Sequence, residues 1–361
     1  MLGLDFRTAK VVWTTFVLGL ALFLLYTARS TVLVVIFAVL FSYLIYPLIA
    51  LLEHILPRRV PRTVSIALGF AIAIAVVVVA VSALGPRVAD EATRLGQKIP
   101  ELVKDPNAAS RFPLPHVLEP LRARIIGFAQ DQMQEGSGKA LPLAKSIGAS
   151  VVHAASNLIY IVLIPVLSFL LIKEGPAIRA GALARMGTRT RALWAGISED
   201  LGFSLSRYVR ALLLLSLSTL VAYGAAFTVM GVPYALLLAA LAALLEFIPF
   251  IGPLAALVIT VLIAGFAGFE HVPLLFGLII LYRFFQDYVL NPYLMSEGVE
   301  VPPLLVIIGL LMGEQIGGVA GIFLSVPVIA AIKIVLVRAS AARQQYQPVA
   351  VGAAAIREPL E

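Results

Sequence analysis

Residues 233–268 read PYALLLAALAALLEFIPFIGPLAALVITVLIAGFAG, an almost wholly apolar stretch with Glu246 and a Pro-Phe-Ile-Gly-Pro break in its middle. As one straight helix it would be about 50 Å long at ~1.5 Å per residue, against a bilayer core of roughly 30 Å. Each half alone reaches only ~22 Å, too short to span comfortably. A helix broken at membrane depth answers both lengths. Lipid cannot satisfy the backbone groups that a break sets free, so the break must be buried in protein or line a cavity.

The rest of the chain supports a membrane setting. Hydrophobic residues make up 61% of the 361 residues, charged residues 13%, and mean hydropathy is +1.00. Soluble domains carry about a quarter charged residues. The net charge of +7 is spread over loops and tail, which reads as membrane topology and excludes a nucleic-acid surface. With no cysteine there is no disulfide, thiolate metal site or cysteine nucleophile.

Working outward from the break, the expected spans are Lys10–Ala28, Thr31–Leu52 and Thr63–Leu84, the third stopped by Gly85-Pro86. Together residues 1–86 form an N-terminal membrane region. Val11–Thr27 lacks a small-x-small cleavage site and reads as a retained helix. Arg58, Arg59 and Arg62 crowd the loop between the second and third spans, which places that loop and both termini in the cytoplasm. Residues 87–150 mix acids, bases and prolines, with an apolar stripe at Leu118, Leu121, Ile125, Phe128 and Met133. After three spans this is a small extracytoplasmic helical domain.

A fourth span follows at 151–173, ended by Lys173-Glu174-Gly175, and then a cytoplasmic amphipathic linker at 174–210. The linker's apolar positions Ile197, Leu201, Leu205 and Tyr208 mark one face, laid on the membrane or against the bundle. The C-terminal membrane region, 211–338, holds Ala211–Met230, the broken stretch, Val272–Leu290 and a second long stretch, Pro302–Val337. That last stretch repeats the oddity, interrupted at Gly313-Glu314-Gln315-Ile316-Gly317-Gly318. Residues 339–361 form a cytoplasmic tail of disordered composition. Each broken stretch is either a hairpin of half-spans or one kinked span. Glu270-His271 falls outside in the first topology and inside in the second.

Two over-long, Gly/Pro-interrupted segments point to a transport site built from discontinuous helices. A half-helix ends in unpaired carbonyls and its successor begins with unpaired amides, so a break offers partial charges of both signs. The candidate pathway residues are Glu246, Phe247, Pro249, Phe250, Gly252 and Pro253 in the first break, Gln286, Asp287 and Asn291 beyond it, and Glu314 and Gln315 in the second. Glu246 reads either as a proton carrier or as an acceptor for amides opened by the prolines. Arg283 and Asp287 stand one turn apart and read as a local ion pair. The four histidines show no ligand spacing, and no Gly-rich loop ends in Lys-Ser or Lys-Thr. No metal, cofactor, ATP-driven step or enzymatic site is expected. Gly309, Gly313, Gly317 and Gly321 repeat at four-residue spacing, for tight packing within one copy or a homo-oligomer seam.

Several motifs carry a family resemblance. Phe169-Leu170-Leu171-Ile172-Lys173-Glu174-Gly175 resembles an aromatic-Leu-Leu-x-Lys-Asp-Gly exit from the fourth helix. Glu246-Phe247-Ile248-Pro249-Phe250-Ile251-Gly252-Pro253 resembles a polar-x-Ile-Pro-aromatic-x-Gly-Pro signature. Asn291-Pro292-Tyr293-Leu294-Met295-Ser296 and Gly321-Ile322-Phe323-Leu324-Ser325-Val326-Pro327 complete the set. Over nearly its whole length the chain is identified as similar to the AI-2E transporter family, also called PerM or autoinducer-2 exporter proteins.

The resemblance implies an all-α polytopic protein of the bacterial inner membrane with about eight spans, exporting the quorum signal autoinducer-2 or exchanging sodium for protons. A small polar solute would use Phe247, Phe250, Gln286, Asn291 and Gln315; a monovalent cation or proton would use Glu246, Glu314 and Asp287. A non-transporting membrane scaffold acting through residues 87–150 is the remaining alternative.

Overall fold

The computed structural model describes residues 6–104, 158–295 and 302–344, and every regular element among them is a helix. In chain order these are α1 (Phe6–Thr27), α2 (Arg29–Ile55), α3 (Arg62–Lys104), α4 (Leu158–Ala184) and α5 (Thr188–Val229). Then come α6 (Ala235–Leu245), α7 (Ile251–Phe266), α8 (Val272–Phe285), a π-turn (Gln286–Leu290), α9 (Asn291–Met295) and α10 (Pro303–Gln344). Among the described residues, five helical stretches can cross a membrane by length and composition and three shorter ones are apolar. The chain is a polytopic helical membrane protein. The expected apolar stripe at Leu118–Met133 lies outside the described residues.

Three helices outrun the ends expected of them. α3 continues through Gly85-Pro86 to Lys104. Pro86 removes one backbone donor, but Arg87, Val88, Ala89, Asp90, Glu91 and Ala92 carry the helix on, so a rung is lost without a stop. α4 runs through Lys173-Glu174-Gly175-Pro176 to Ala184. The part of the expected linker from Thr188 on forms one helix with the fifth span, α5, with Ile197 and Val209 buried against the bundle. The Ile197–Tyr208 face therefore packs on protein; Arg338 of α10 clamps Asp200 there with a bidentate pair, one contact at 2.8 Å.

The N-terminal half is held by close approach. Ile45 and Ile49 of α2, Ile66 and Phe70 of α3 and Ile172 of α4 make one buried cluster. The Ser168 hydroxyl of α4, fully buried, reaches the Ala38 carbonyl of α2 at 2.7 Å.

The two broken stretches are both hairpins. In α10 the backbone at Gly318 takes φ 56°, ψ −137°, which no helix contains. A Cβ on Gly309 would sit 2.2 Å from the Ile329 side chain, and one on Gly313 would sit 2.4 Å from the Gly321 carbonyl oxygen. In a straight helix positions 309 and 329 lie ~30 Å apart. So α10 folds back on itself at 317–318, and its arms touch along glycines. The small-residue repeat is thus used between the arms of one hairpin.

For the first stretch, helices α5 and α8 fix the direction. Ser216 and Thr219 of α5 bond to Ala243 and Glu246 at the end of α6, at 2.7 and 3.2 Å, while Gly224, further along α5, lies against Leu236 and Ala239 nearer its start, so α6 runs antiparallel to α5. Gln286, just past α8, bonds to Glu246 at 3.0 Å, so α8 ends where α6 ends. The start of α8 shares a buried cluster with Phe227, Val232 and Ala235 near the start of α6. α7 must therefore run back along α6 to join them, and residues 269–272 return to the end of the bundle where α6 began.

The glycine contacts supply a direct test. Gly321→Val forces the arms of α10 apart and should cost about 1–3 kcal/mol, read as a lowered thermal midpoint in detergent; Gly19→Val, where nothing lies within 4 Å, should leave the midpoint nearly unchanged.

Candidate functional site

The tip of the first hairpin is the five-residue turn Glu246–Phe250. Its shape depends on residues that close the backbone tightly. Phe250 sits at φ 63° and its neighbour Ile251 donates to the Pro249 carbonyl at 2.7 Å. A Cβ on Gly252 would fall 1.8 Å from the Leu245 carbonyl oxygen, so only glycine lets α7 leave so close to the end of α6. Pro253 stands in the first turn of α7, where a missing N–H costs nothing. The Ile-Pro-Phe-Ile-Gly-Pro run is thus a turn prescription.

Glu246 is held by side chains of neighbouring helices and not by amides opened in its own turn. Thr219 of α5 donates to Oε1 at 3.2 Å, and Gln286 donates to Oε2 at 3.0 Å. Both donors are buried, Thr219 at 0% and Gln286 at 1% exposed. Arg283 brings a guanidinium nitrogen to 3.8 Å from Oε2. The same guanidinium bonds Gln286 Oε1 at 3.3 Å and grips Asp287 from Nε at 2.9 Å and from its terminal nitrogen at 2.8 Å. Asn291 donates to Asp287 Oδ1 at 3.1 Å. On the far side Tyr282 lies 3.3 Å from the Thr219 hydroxyl and donates to Ser218 at 3.0 Å.

A chain of hydrogen bonds therefore runs from Thr219 to Asn291 with Glu246 and Arg283 at its centre, and the Tyr282–Ser218 pair lies against its Thr219 end. Buried polar groups linked in this way stabilise one another, and removing one member strands the rest.

The π-turn after α8 places Gln286, Asp287 and Asn291 so that all three join in. Asn291 N–H bonds to the Gln286 carbonyl five residues back, and this wide turn carries the helix into α9 past Pro292. The chain was expected to stop at Asn291-Pro292; the wider turn spares Pro292 a donor it cannot supply.

Beside this network lies a cavity of about 530 Å³. Leu205, Tyr208, Leu212 and Leu215 of α5 form one wall, and Pro249, Phe250 and Pro253 of the first hairpin form another. Arg283, Gln286, Asp287 and Asn291 form the polar wall, and Val306, Val326 and Ala330 of the second hairpin complete the enclosure. The Tyr208 hydroxyl is buried with no hydrogen-bond partner among the described residues.

Of the residues singled out from the sequence, Glu246, Pro249, Phe250, Pro253, Gln286, Asp287 and Asn291 meet at this one cavity. Gly252 is buried inside the turn, and Phe247 points away to pack on Phe323 of the second hairpin, ring centres 5.2 Å apart. Glu314 and Gln315 are exposed on the first arm of α10 and do not line it. The second hairpin contributes apolar wall instead of an acid.

Sequence reading missed Thr219, Ser218, Tyr282 and Tyr208, and treated Arg283 as half of a local pair. Its Asp287 partner is as expected, but its reach to Gln286 and Glu246 is not readable from spacing. Ser216, Thr219 and Tyr223 do leave a trace, recurring on one face of the apolar run that begins at Ala211.

A family model described as AI-2E family transporter matches residues 14–340. The Bacillus subtilis protein YrrI, whose name describes a transport protein, is 24% identical over 174 residues, 48% of this chain and 49% of its own length. PerM of Escherichia coli K12, named as a permease, is 32% identical over 191 residues, 52% of this chain and 54% of its own. MT0215 of Mycobacterium tuberculosis, named as a transport protein, is 32% identical over 128 residues, 35% of each. The chain thus spans about half or less of the length of these relatives.

The network's centre can be checked by a double-mutant cycle. Arg283→Gln strands the carboxylates of Glu246 and Asp287 and should lower the thermal midpoint in detergent by the equivalent of about 2 kcal/mol; adding Glu246→Gln should recover part of that loss, and simple additivity would mean the two groups do not interact.

Proposed function

This chain belongs to the AI-2E transporter family, and from that membership and the cavity's chemistry we propose that it exports a small, uncharged, polar solute of the autoinducer-2 kind. It would act as a secondary transporter or facilitator, with the pathway passing the tip of the first hairpin.

The observation that carries this reading is the pairing of charge. Arg283 neutralises Asp287 at 2.8 Å and faces Glu246 at 3.8 Å. A solute entering the cavity meets the bonded groups around Arg283, the Arg207 side chain and an apolar wall, not an open ring of acids. An uncharged polyhydroxylated solute suits such a surface, since its hydroxyls both donate and accept. The Asn291 amide is a further group it would use, with the Phe250 ring against its carbon face. The size is also suitable: about 530 Å³ falls among the few-hundred-Å³ clefts that hold small molecules.

Both hairpins bound this cavity, and Phe247 and Phe323 join them, so movement of either tip would open or close it. Arg58, Arg59 and Arg62 support cytoplasmic termini in a bacterial inner membrane.

A second reading, sodium/proton antiport, draws on a different feature. Glu246 takes its hydrogen bonds from the neutral Thr219 and Gln286, and its guanidinium neighbour stands farther off than that of Asp287. That leaves Glu246 the less neutralised carboxylate, and the one to exchange a proton for a cation.

Flux from proteoliposomes separates the readings. Release of labelled autoinducer-2, insensitive to an imposed pH gradient and about tenfold slower in Glu246→Gln, is the expected result. Sodium uptake driven by the pH gradient and abolished in Glu246→Gln would replace solute export with antiport. Flux of neither would leave the scaffold reading in place.

A further inference from the structure

The geometry points to Glu91 as a positioning residue: α3, carried past Gly85-Pro86, lends its carboxylate as the N-terminal cap that α6 lacks, and so sets where the Glu246 turn stands. The effect on flux rests on the transport reading; the effect on the hairpin does not.

α6 has eleven residues and starts badly. It follows a turn with Gly231 at φ +70° and Tyr234 at φ 59°, and Tyr234, in the capping position, makes no side-chain cap. A helix of three turns is marginal without help, and its first amides have no partner inside it. Ser, Thr, Asp or Asn would ordinarily supply that partner locally. Here Glu91 does so from a helix 146 residues away, its Oε2 accepting from the Leu237 amide at 2.8 Å. A carboxylate at this end also meets the positive pole of the helix.

This arrangement ties the start of the hairpin to α3, while its tip is held by α5 and Gln286. The near end of α3 is anchored by Ile66 and Phe70 in the cluster with α2 and α4. Its far end holds α6. Gly85 and Pro86 lie between, and Pro86 leaves the Ser82 carbonyl without its helical donor, a soft point five residues before Glu91. From the cap, α6 runs ~16 Å to Glu246 as a single rigid rod. A shift at Glu91 therefore moves the carboxylate in the cavity.

The chain has no cysteine, so a single introduced thiol reports on the turn. Phe250→Cys places one on the cavity wall, at a residue 58% exposed; Leu281→Cys, on the outer face of α8 at 70% exposed, is the control. Maleimide labelling rates are measured on purified protein without solute. Glu91→Ala should change the rate at position 250 about five-fold, the usual scale of a lost cap, and leave position 281 unaltered. Glu91→Gln, whose amide oxygen still accepts, should give a smaller change. An unchanged rate at 250 in folded Glu91→Ala overturns the inference, and so does an equal change at both positions, which is general loosening. Should Glu91→Ala not fold, the near-isosteric Glu91→Gln decides alone: an altered rate at 250 supports the inference and an unaltered one overturns it. Altered labelling with no flux even in the parent protein counts against the transport reading and leaves this one supported.

Discussion

Everything distinctive about this fold follows from the cost of turning a backbone around inside lipid. Each free amide or carbonyl left facing hydrocarbon costs several kcal/mol, so a turn at that depth needs either protein around it or an exceptionally tight path. The two hairpins solve this in different ways. The second uses glycine: Gly309, Gly313 and Gly321 bring its arms to backbone contact, and Gly318 makes the reversal. The first uses prolines where donors are not needed and Gly252 where no side chain fits, then buries its tip against α5 and α8.

That difference decides which tip carries chemistry. A glycine seam excludes everything but backbone, and the acid beside it, Glu314, is left exposed on an outer face. The Pro-Gly turn leaves a wedge between α6, α7 and α8, and Glu246 stands at its edge. Thr219, Gln286 and Arg283 close around it. A single guanidinium serves two carboxylates and one amide, which offsets part of their negative charge while leaving donors and acceptors in place. Arginine suits this role better than lysine, because its fork fixes several partners at defined angles.

The fold class, the two interrupted stretches and the cavity-lining residues of the first break were legible in the sequence because each leaves a local mark: hydropathy too long for one span, and prolines and glycines in its middle. Helix ends were less legible. Gly85-Pro86, Gly175-Pro176 and Asn291-Pro292 all look like stops, yet the helices pass through them, because tertiary contacts and a π-turn outweigh a lost rung. The choice between hairpin and kink was not legible at all, since both satisfy the same charge distribution. It is decided by contacts between residues twenty apart, such as Gly309 and Ile329. Arg283 shows the same limit: Asp287, four residues on, was readable, while Glu246, thirty-seven residues back, was not.

These observations join into one mechanical picture. α5 is the fixed post, buried through Leu212, Leu215, Thr219, Tyr223 and Phe227. The first hairpin leans on it through Ser216–Ala243 and Thr219–Glu246, and the second through the cluster that Tyr208 shares with Val306, Leu310 and Val326. The hairpins touch each other at Phe247 and Phe323, a contact of two rings with no hydrogen bond. Aromatic contacts tolerate sliding far better than a hydrogen-bonded network does, since dispersion falls gradually with offset while a hydrogen bond fails within a few tenths of an ångström. The polar network stays on the side of the first hairpin, and the sliding surface lies between the two. A cavity bounded by both can thus change shape without breaking the bonds that define its chemistry.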